Sequence, residues 1–345
     1  MKKRVFLRLT SLLFLPLLFI LPAGCNDVEP EPNSRIFYGC FDTVSVIYDY
    51  SNMEEDEFSR LSKNIEAAAN HYHKLFDAYT EYDGINNIAT LNRLAGKGKV
   101  EVDRAIIELL LFSRKMYDKT DGAVNFALGS VTYLWKTLPS SEEKRIPTDI
   151  ELTEAGKHTN PDSVIIDTEG GTVEITDSLL RIDVGAIAKG YIAELIKKEL
   201  KELGHSGIFL DFGGNLCAVG SKPDGKAWEG AIRNPLYPDS SNEPYVRETT
   251  ILDDSLVTSG VYERYFIING VRYHHIINPK TMKPENSYLS VSVQTTDSGV
   301  ADALSTAIFN MDFDTAEKFV IYYEEKIEVT LVFPDGSCKV ISSLV

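Results

Sequence analysis

The sequence predicts an α+β protein in which mostly antiparallel strands are flanked by helices. Segments rich in β-branched and aromatic residues follow one another through hairpin signals, such as the Pro-Asp-Gly at 334–336. Five helical patterns occur among these segments, but without the regular strand–helix alternation that marks a parallel sheet. The chain of 345 residues shows no internal repeat, so one domain is expected after the N-terminal region.

The helical patterns have clear periods and end signals. The first covers about residues 54–79, where apolar side chains recur every three or four positions. A second helix is expected behind Asp103, a residue that suits the N-cap position. A third is predicted for AKGYIAELIKKELKELG (188–204), which begins within the segment DVGAIAKGY (183–191) and ends at Gly204 as a C-terminal glycine. Two further helices are predicted at 299–312 and 314–326.

The strand predictions rest on composition and on the turn residues between segments. Residues 35–50 are predicted to form a central strand or a hairpin. Further strands are predicted at 163–167, 172–176, 179–184, 207–212, 215–220, 245–253, 263–268, 271–277, 289–296, 328–333 and 338–345.

The charge balance excludes one class of protein. Acidic residues outnumber basic ones by 51 to 35, which gives a net charge of −16, and no basic stripe is present. A nucleic-acid-binding protein needs a basic face for the phosphates. We therefore expect a different class of ligand.

The N-terminus is predicted to be a lipoprotein signal peptide. Residues 1–24 combine a basic start with an apolar stretch, and LPAGC resembles a bacterial lipobox with Cys25 as the lipidated residue. Residues 25–35 are rich in proline and acids, which is typical of an extended tether, and the folded domain is expected at 36–345. The alternative is an ordinary cleaved signal with a chance cysteine.

The other three cysteines carry no recognisable motif. Cys40, Cys217 and Cys338 show no C-x-x-C spacing of a zinc or redox site. One disulfide among them stays open, but small buried thiols in strands are the favoured interpretation.

Two glycine-containing segments stand out as candidates for ligand binding. In DVGAIAKGY, the helix N-terminus, glycines at 185 and 190 and Lys189 would suit a phosphate, whereas a simple N-cap with a surface lysine is the structural alternative. In LDFGGNL (210–216), Asp211 ends an apolar strand before two glycines, a pattern that indicates a hairpin.

Two further segments carry potential catalytic or metal-binding side chains. In VRYHHIINPK (271–280), strand alternation places His274 and His275 on opposite faces, so only one of them fits a site. In GVADALSTA (299–307), Asp302 and Thr306 share one helical face among small residues. A carboxylate and a hydroxyl are hard oxygen ligands that suit Mg²⁺ together with phosphates. The equally supported alternative is a helix whose small residues serve only close packing. Together the motifs indicate a metal-assisted phosphate site.

In this order the motifs resemble those of the ApbE family, the FAD:protein FMN transferases. TDGAVNFALGSVTYLW (120–135), the LNR at 91–93, DVGAIAKGY, DFGGN, TSGVYERYF (258–266), HHIINPKT and ADALSTA cover nearly the whole predicted domain. The departures are Phe41 in place of the usual Met, Val124-Asn125 in place of Phe-Asp, Met282 in place of Gly, and no Ser-Glu pair within 85–92. The resemblance implies that these departures fall at the periphery of the flavin pocket rather than at the metal site.

The resemblance implies a T-fold-like architecture with FAD between two lobes and its diphosphate on Mg²⁺. It implies that Asp302 and Thr306 ligate the metal by side chain and Ala186 by its carbonyl, and that His275 is the catalytic base. The residues implied to contact FAD are Phe41, Tyr79, Ala123, Val124, Asn125, Asp183, Lys189 and Ile276.

The implied reaction is the transfer of FMN from FAD to a threonine hydroxyl of an acceptor protein, with release of AMP. Family acceptors are membrane electron-transfer proteins with a Ser/Thr-Gly-Ala-Thr-like segment, and the enzyme is expected on the extracytoplasmic side of a bacterial membrane. Two alternatives are an FAD pyrophosphatase that uses water at the same site and a flavin-binding lipoprotein without catalysis. The second would lack Asp302, Thr306 or His275, and all three are present.

Overall fold

The computed structural model describes residues 32–40, 43–237 and 243–345, and Pro32–Val345 forms one compact unit. The predicted signal peptide with Cys25, most of the predicted tether and Phe41 lie outside the described residues. The described strands are β1 (Asn33–Tyr38), β2 (Val44–Asp49), β3 (Val100–Glu101), β4 (Val164–Asp167), β5 (Thr172–Ile175), β6 (Ile208–Phe212), β7 (Asn215–Val219), β8 (Trp228–Arg233), β9 (Tyr245–Ile251), β10 (Ser255–Gly260), β11 (Tyr265–Ile268), β12 (Val271–His274), β13 (Ser290–Thr295), β14 (Glu328–Val332) and β15 (Cys338–Ser342).

Every strand pair in this part of the chain is antiparallel, as predicted. The main sheet has eight strands in the order β1-β2-β6-β7-β10-β13-β14-β15. Smaller sheets are formed by β3-β5-β4, by β8-β9 and by β11-β12. Residues 35–50 form the β1–β2 hairpin rather than a central strand, and the hairpins at 210–216 and 334–336 are confirmed. The short strands β3, β8 and β10 had no prediction.

The described helices are α1 (Glu55–Phe76), α2 (Ile88–Arg93), α3 (Arg104–Lys119), α4 (Gly129–Thr137), α5 (Asp149–Gly156), α6 (Ala188–Glu202), α7 (Ser298–Phe309) and α8 (Phe313–Ile321). The five predicted helices are confirmed as α1, α3, α6, α7 and α8. Asp103 accepts a hydrogen bond from the Ala105 amide at the start of α3, and Gly204 has φ +83° just after α6. Both end signals therefore act as the sequence indicated.

One strand prediction is wrong. Residues 179–184 belong to no strand: Leu179 lies in a turn, and the backbone that follows is bound by side chains from other elements. The Asn92 amide group accepts from the Ile182 amide (2.6 Å) and donates to the Ile182 carbonyl (2.9 Å). Ser130 Oγ accepts from the Arg181 amide. The apolar composition identified a buried segment, but its hydrogen-bond partners are not strands.

The main sheet is covered on both faces. Helices α6 and α7 contact each other and the central strands β7 and β10. The opposite face packs against the β8–β9 pair, around Trp228, Ile251 and Leu256. This arrangement fixes α6 and α7 side by side, and both helices carry candidate site residues.

Other predictions concern cysteines, lobes and membranes. Cys40, Cys217 and Cys338 are free thiols, and the first two are buried as expected. Cys338 is exposed because β15 is an edge strand of the main sheet, so the expectation of burial is wrong for it.

The division into two lobes stays a prediction. Within the described residues, no helix combines the length and hydropathy needed to cross a membrane.

Candidate active site

The first part of the site is the contact between the start of α6 and the first half of α7. The Gly190 amide donates a hydrogen bond to Asp302 Oδ2 (2.8 Å), and Lys189 Nζ lies 3.7 Å from Asp302 Oδ1. Asp302 is only 3% exposed, so its carboxylate depends on these partners. The Gly190 amide therefore serves Asp302 rather than a phosphate, and Lys189 is largely buried instead of being a surface lysine.

Glycine at position 190 is required by the close approach of the two helices. A Cβ atom there would lie 2.2 Å from the Ser298 carbonyl oxygen and 2.5 Å from Asp302 Cβ. Gly185 is different, because a Cβ atom would meet only the Asp183 carboxylate, at 3.1 Å. Of the two close approaches predicted from the sequence, only the one at Gly190 is confirmed.

We expect Gly190→Ala to destabilise the protein by about 1–3 kcal/mol, because the added methyl group overpacks a contact with backbone atoms. Gly185→Ala is the matched control within the same segment and should change the free energy of unfolding by less than about 0.5 kcal/mol. Urea unfolding of both variants measures the difference. Equal stability of the two would contradict the packing argument.

Thr306 lies one turn after Asp302 on α7. Its hydroxyl is 3.2 Å from Ser259 Oγ, which also lies 2.8 Å from Ser305 Oγ. Ser305 in turn donates to the Asp302 carbonyl. The side chain of Thr306 is half-buried and is held by this hydroxyl chain from β10.

The donor atoms fit Mg²⁺. Asp302 and Thr306 offer a carboxylate and a hydroxyl. The Gly190 amide donates to Asp302 instead of to the Ala186 carbonyl four residues earlier, so that amide does not occupy the Ala186 oxygen. The described residues contain no group of three or more His, Cys, Asp or Glu side chains suited to a metal. A site with only a few oxygen ligands suits Mg²⁺, because phosphates can complete the coordination of the ion. Such a site does not suit zinc, which prefers four nitrogen or sulfur ligands.

Asp183 organises the second part of the site. Its Oδ2 accepts hydrogen bonds from Tyr79 Oη (2.8 Å) and Thr132 Oγ1 (2.7 Å), and its Oδ1 accepts from the Gly185 amide (2.9 Å). Desolvation of its hydroxyl by the surrounding protein, together with the Asp183 charge, raises the pKa of Tyr79, so its phenol stays a donor. Lys136 Nζ lies 3.2 Å from the centroid of the Tyr79 ring. A carboxylate, a phenol and an ammonium therefore meet beside the start of α6.

The two histidines face opposite sides, as predicted. His274 is 2% exposed, and both of its ring nitrogens are used: Nε2 donates to the Glu285 carbonyl (2.5 Å), and Nδ1 accepts from the Ile276 amide (3.2 Å). Its ring also packs edge-on against Phe309. His274 is therefore a structural residue.

His275 has the geometry of a base. Its Nδ1 lies 3.1 Å from the Arg264 carbonyl, and because a carbonyl only accepts, Nδ1 carries the proton and Nε2 keeps its lone pair. Crowding by the protein, followed by the positive charges of Arg264 and Lys189, lowers the pKa of His275 to about 3. The side chain is nevertheless accessible to solvent. With this lowered pKa the imidazole is neutral at pH 7, which is the protonation state that a general base needs.

The segment Ala123–Asn125 is joined to the histidine segment by a residue that the sequence did not indicate. Asn310 donates to the carbonyls of Ala123 (3.1 Å) and Ile277 (3.4 Å). Ala123 and Val124 are buried, as is Ile276. The Asn125 side chain binds the Thr159 carbonyl and the Ala127 amide, so it shapes its own loop.

Four residues that contact predicted site residues, Thr132, Ser259, Arg264 and Asn310, were themselves not predicted. Thr132 and Asn310 come from elements distant in sequence, and no local pattern distinguishes them. Ser259 and Arg264 lie in the TSGVYERYF segment, which attracted notice without any role for single residues. The presence of a serine and an arginine in this segment was the sequence feature that could have indicated their roles. Phe41 lies outside the described residues.

The fold is that of an antiparallel α+β protein. Its candidate site joins Asp302, Thr306 and Lys189 at the contact of α6 with α7, and His275 lies close enough for the Lys189 charge to act on its imidazole. The ApbE family model matches residues 40–331, so the chain belongs to the ApbE family. The chain is 29% identical over 272 residues to an FAD:protein FMN transferase of Klebsiella pneumoniae (strain 342), covering 77% of this chain and 83% of that protein. It is 31% identical over 274 residues to one of Treponema pallidum (strain Nichols), covering 75% and 74%.

Solved structures agree with the fold. The ApbE protein from Thermotoga maritima superposes with a TM-score of 0.79 at 26% identity, covering 90% of this chain and 97% of that chain. The apo form of the flavinyl transferase ApbE from Pseudomonas stutzeri gives 0.73 at 22% identity, covering 91% and 95%. The predicted α+β architecture of this family is thereby confirmed.

Proposed function

We propose that the protein transfers FMN from FAD to a threonine hydroxyl of an acceptor protein in a Mg²⁺-dependent reaction that releases AMP. The observation that carries the proposal is the meeting of the buried Asp302 carboxylate with Lys189, near the accessible His275, whose Nδ1 is hydrogen-bonded to the Arg264 carbonyl. The relatives named FAD:protein FMN transferase support the flavin chemistry.

Asp302, Thr306 and the Ala186 carbonyl would hold the cation. When bound, Mg²⁺ neutralises charge on the FAD diphosphate and fixes its geometry, which supplies much of the rate in phosphoryl transfer. Lys189 contributes a positive charge for the phosphates from the same junction. The adjacent Asp183–Tyr79–Thr132 network provides carboxylate, phenol and hydroxyl groups that orient the dinucleotide.

His275 would move the proton. Nε2 accepts the proton of the acceptor hydroxyl while the hydroxyl oxygen attacks the phosphorus on the FMN side of the diphosphate. The bond from that phosphorus to the bridging oxygen breaks, and AMP leaves with the electron pair. The Arg264 carbonyl keeps the Nδ1 proton in place, so the ring retains the tautomer with Nε2 as acceptor.

The test uses the purified protein with FAD, Mg²⁺ and a small soluble carrier protein that ends in an exposed Ser-Gly-Ala-Thr segment. Transfer increases the carrier mass by one FMN moiety and releases AMP in equal amount. Free FMN without a carrier adduct would instead identify an FAD pyrophosphatase. FAD binding with neither product would identify a non-catalytic flavin-binding protein.

We also propose that the protein is anchored by lipid at Cys25 on the extracytoplasmic side of a bacterial membrane, on the basis of the LPAGC segment. Cys25→Ala should abolish acylation and leave an unprocessed precursor or a protein in the soluble fraction, because several acyl chains hold a protein at a membrane far better than one. Mass spectrometry of the mature N-terminus checks this. A mature chain that begins elsewhere without lipid would exclude the anchor.

A further inference from the structure

A cavity of about 360 Å³ lies beside the β11–β12 hairpin, outside the Asp302 and Asp183 clusters. Trp135, Pro147, Val271 and Tyr273 are among its apolar lining residues, and Arg272 and Lys283 lie at its polar side. Trp135 and Pro147 are buried, so part of the apolar lining is already packed against the protein. No step of the proposed reaction uses these residues.

The cavity is continuous along the strand with the proposed base. The His275 amide donates to the Arg264 carbonyl, so the antiparallel pairing of β11 and β12 extends to His275. Side chains alternate along a strand, which places Val271 and Tyr273 on the same face as His275. Two residues of strand span about 7 Å, so the cavity wall begins that far from the base.

The wall of the cavity is preformed. Tyr273 stacks on Phe266 with ring centroids 5.6 Å apart and lies 5.7 Å from Trp135. Trp135 Nε1 donates to the Met282 carbonyl (2.9 Å), which fixes the indole. A rigid aromatic wall lowers the ordering cost of binding, because its side chains are already held.

The hairpin also exposes features that recognise an extended chain. Val271 is 52% exposed at the cavity. In the described part of the chain, β12 pairs with β11 and with no other strand. His275 and Arg264 are a hydrogen-bonded pair, and hydrogen-bonded and non-hydrogen-bonded pairs alternate along an antiparallel ladder. The peptide groups of Arg272 therefore point away from β11. Such an edge accepts a further strand.

We propose that this cavity and the outer edge of β12, together called the acceptor groove, bind an extended segment of the acceptor protein next to its reactive hydroxyl. The inference rests on the proposed function and identifies where its protein substrate binds. The hydroxyl must reach Nε2 of His275, and the groove lies along the same strand. Lys283 is paired with Asp149 (2.8 Å), which leaves Arg272 as the net charge among the lining residues, and this favours a neutral or acidic segment.

The test compares Val271→Glu with Ile165→Glu, a matched control on β4 with 48% exposure. With the Ser-Gly-Ala-Thr carrier as probe, Val271→Glu should raise KM for the carrier at least tenfold, because it places a charge on the apolar wall. Ile165→Glu and Val271→Ile should leave KM within about twofold. FAD affinity, measured by flavin fluorescence without carrier, should be unchanged in all three.

Each result is decisive. Equal KM values for Val271→Glu and Ile165→Glu would exclude the acceptor groove. A loss of FAD affinity in Val271→Glu would assign the cavity to the flavin and would also overturn the inference. Failure of the wild-type protein to label the carrier would instead contradict the proposed function itself, so the two failures are distinguishable.

Discussion

His275→Ala is expected to slow FMN transfer by about 10²–10⁴-fold, which is the usual contribution of a positioned acid–base group. His274→Ala is the matched control on the opposite face of the same strand. It should reduce stability, because it removes a buried ring that binds Glu285 and packs on Phe309, while the folded fraction retains its rate. Single-turnover transfer to the carrier measures both variants. A larger rate loss for His274→Ala would show that the assignment is reversed.

The pH profile gives an independent check on His275. A base acts only when neutral, and the protein lowers the pKa of this imidazole from its ordinary value of 6.5. The acid limb of kcat/KM, which reports the free enzyme, should therefore lie below pH 6.5. Removing the Arg264 charge in Arg264→Gln should move this limb toward higher pH, because that charge opposes protonation. An acid limb above pH 6.5 in the wild-type protein would contradict a depressed pKa.

Asp302→Asn is expected to separate flavin binding from chemistry. Asparagine keeps the shape of the side chain but loses the charge, so Mg²⁺ should bind far more weakly while the flavin ring still finds its contacts. We expect FAD to be retained, transfer to fall by at least 10²-fold at ordinary Mg²⁺, and part of the rate to return at high Mg²⁺. A Mg²⁺ titration of FAD affinity and transfer rate in both proteins measures this.

The surroundings of Asp302 set the control for that experiment. The Gly190 amide and Lys189 both bind the Asp302 carboxylate, so the substitution also alters a buried contact. Urea unfolding without metal should show that Asp302→Asn remains folded at the assay temperature. Wild-type transfer that survives complete chelation, or an unchanged Mg²⁺ dependence in the variant, would remove Asp302 from the metal site.

Local patterns were enough to predict most of the fold. Helices α1, α6 and α7 follow from apolar spacing and end signals, and the hairpins follow from their glycines. The opposite faces of His274 and His275 follow from the period of a strand. The short helices α4 and α5 were not predicted, whereas α8, which is no longer than α4, was.

The rest of the site depends on contacts between distant residues. The Asn92 side chain makes the hydrogen bonds to the Ile182 backbone that a neighbouring strand would otherwise make. Thr132, which donates to Asp183, lies on α4, a helix that was not predicted. The use of the Gly190 amide by Asp302 requires the packing of α6 on α7. A sequence shows that an asparagine or threonine is present, but not which carbonyl or carboxylate it will meet.

The position of His275 on a separate two-stranded sheet has a consequence for inactivation. Two-stranded hairpins are only marginally stable alone, and β11–β12 is stabilised by packing on a small cluster around Trp135. Asp302 lies instead on α7, whose side chains are almost all buried in the main core. Regions with few buried contacts open at a lower free energy than the core does. Mild heat or urea would therefore first abolish proton transfer, reversibly, in molecules that remain folded around the phosphate-binding junction.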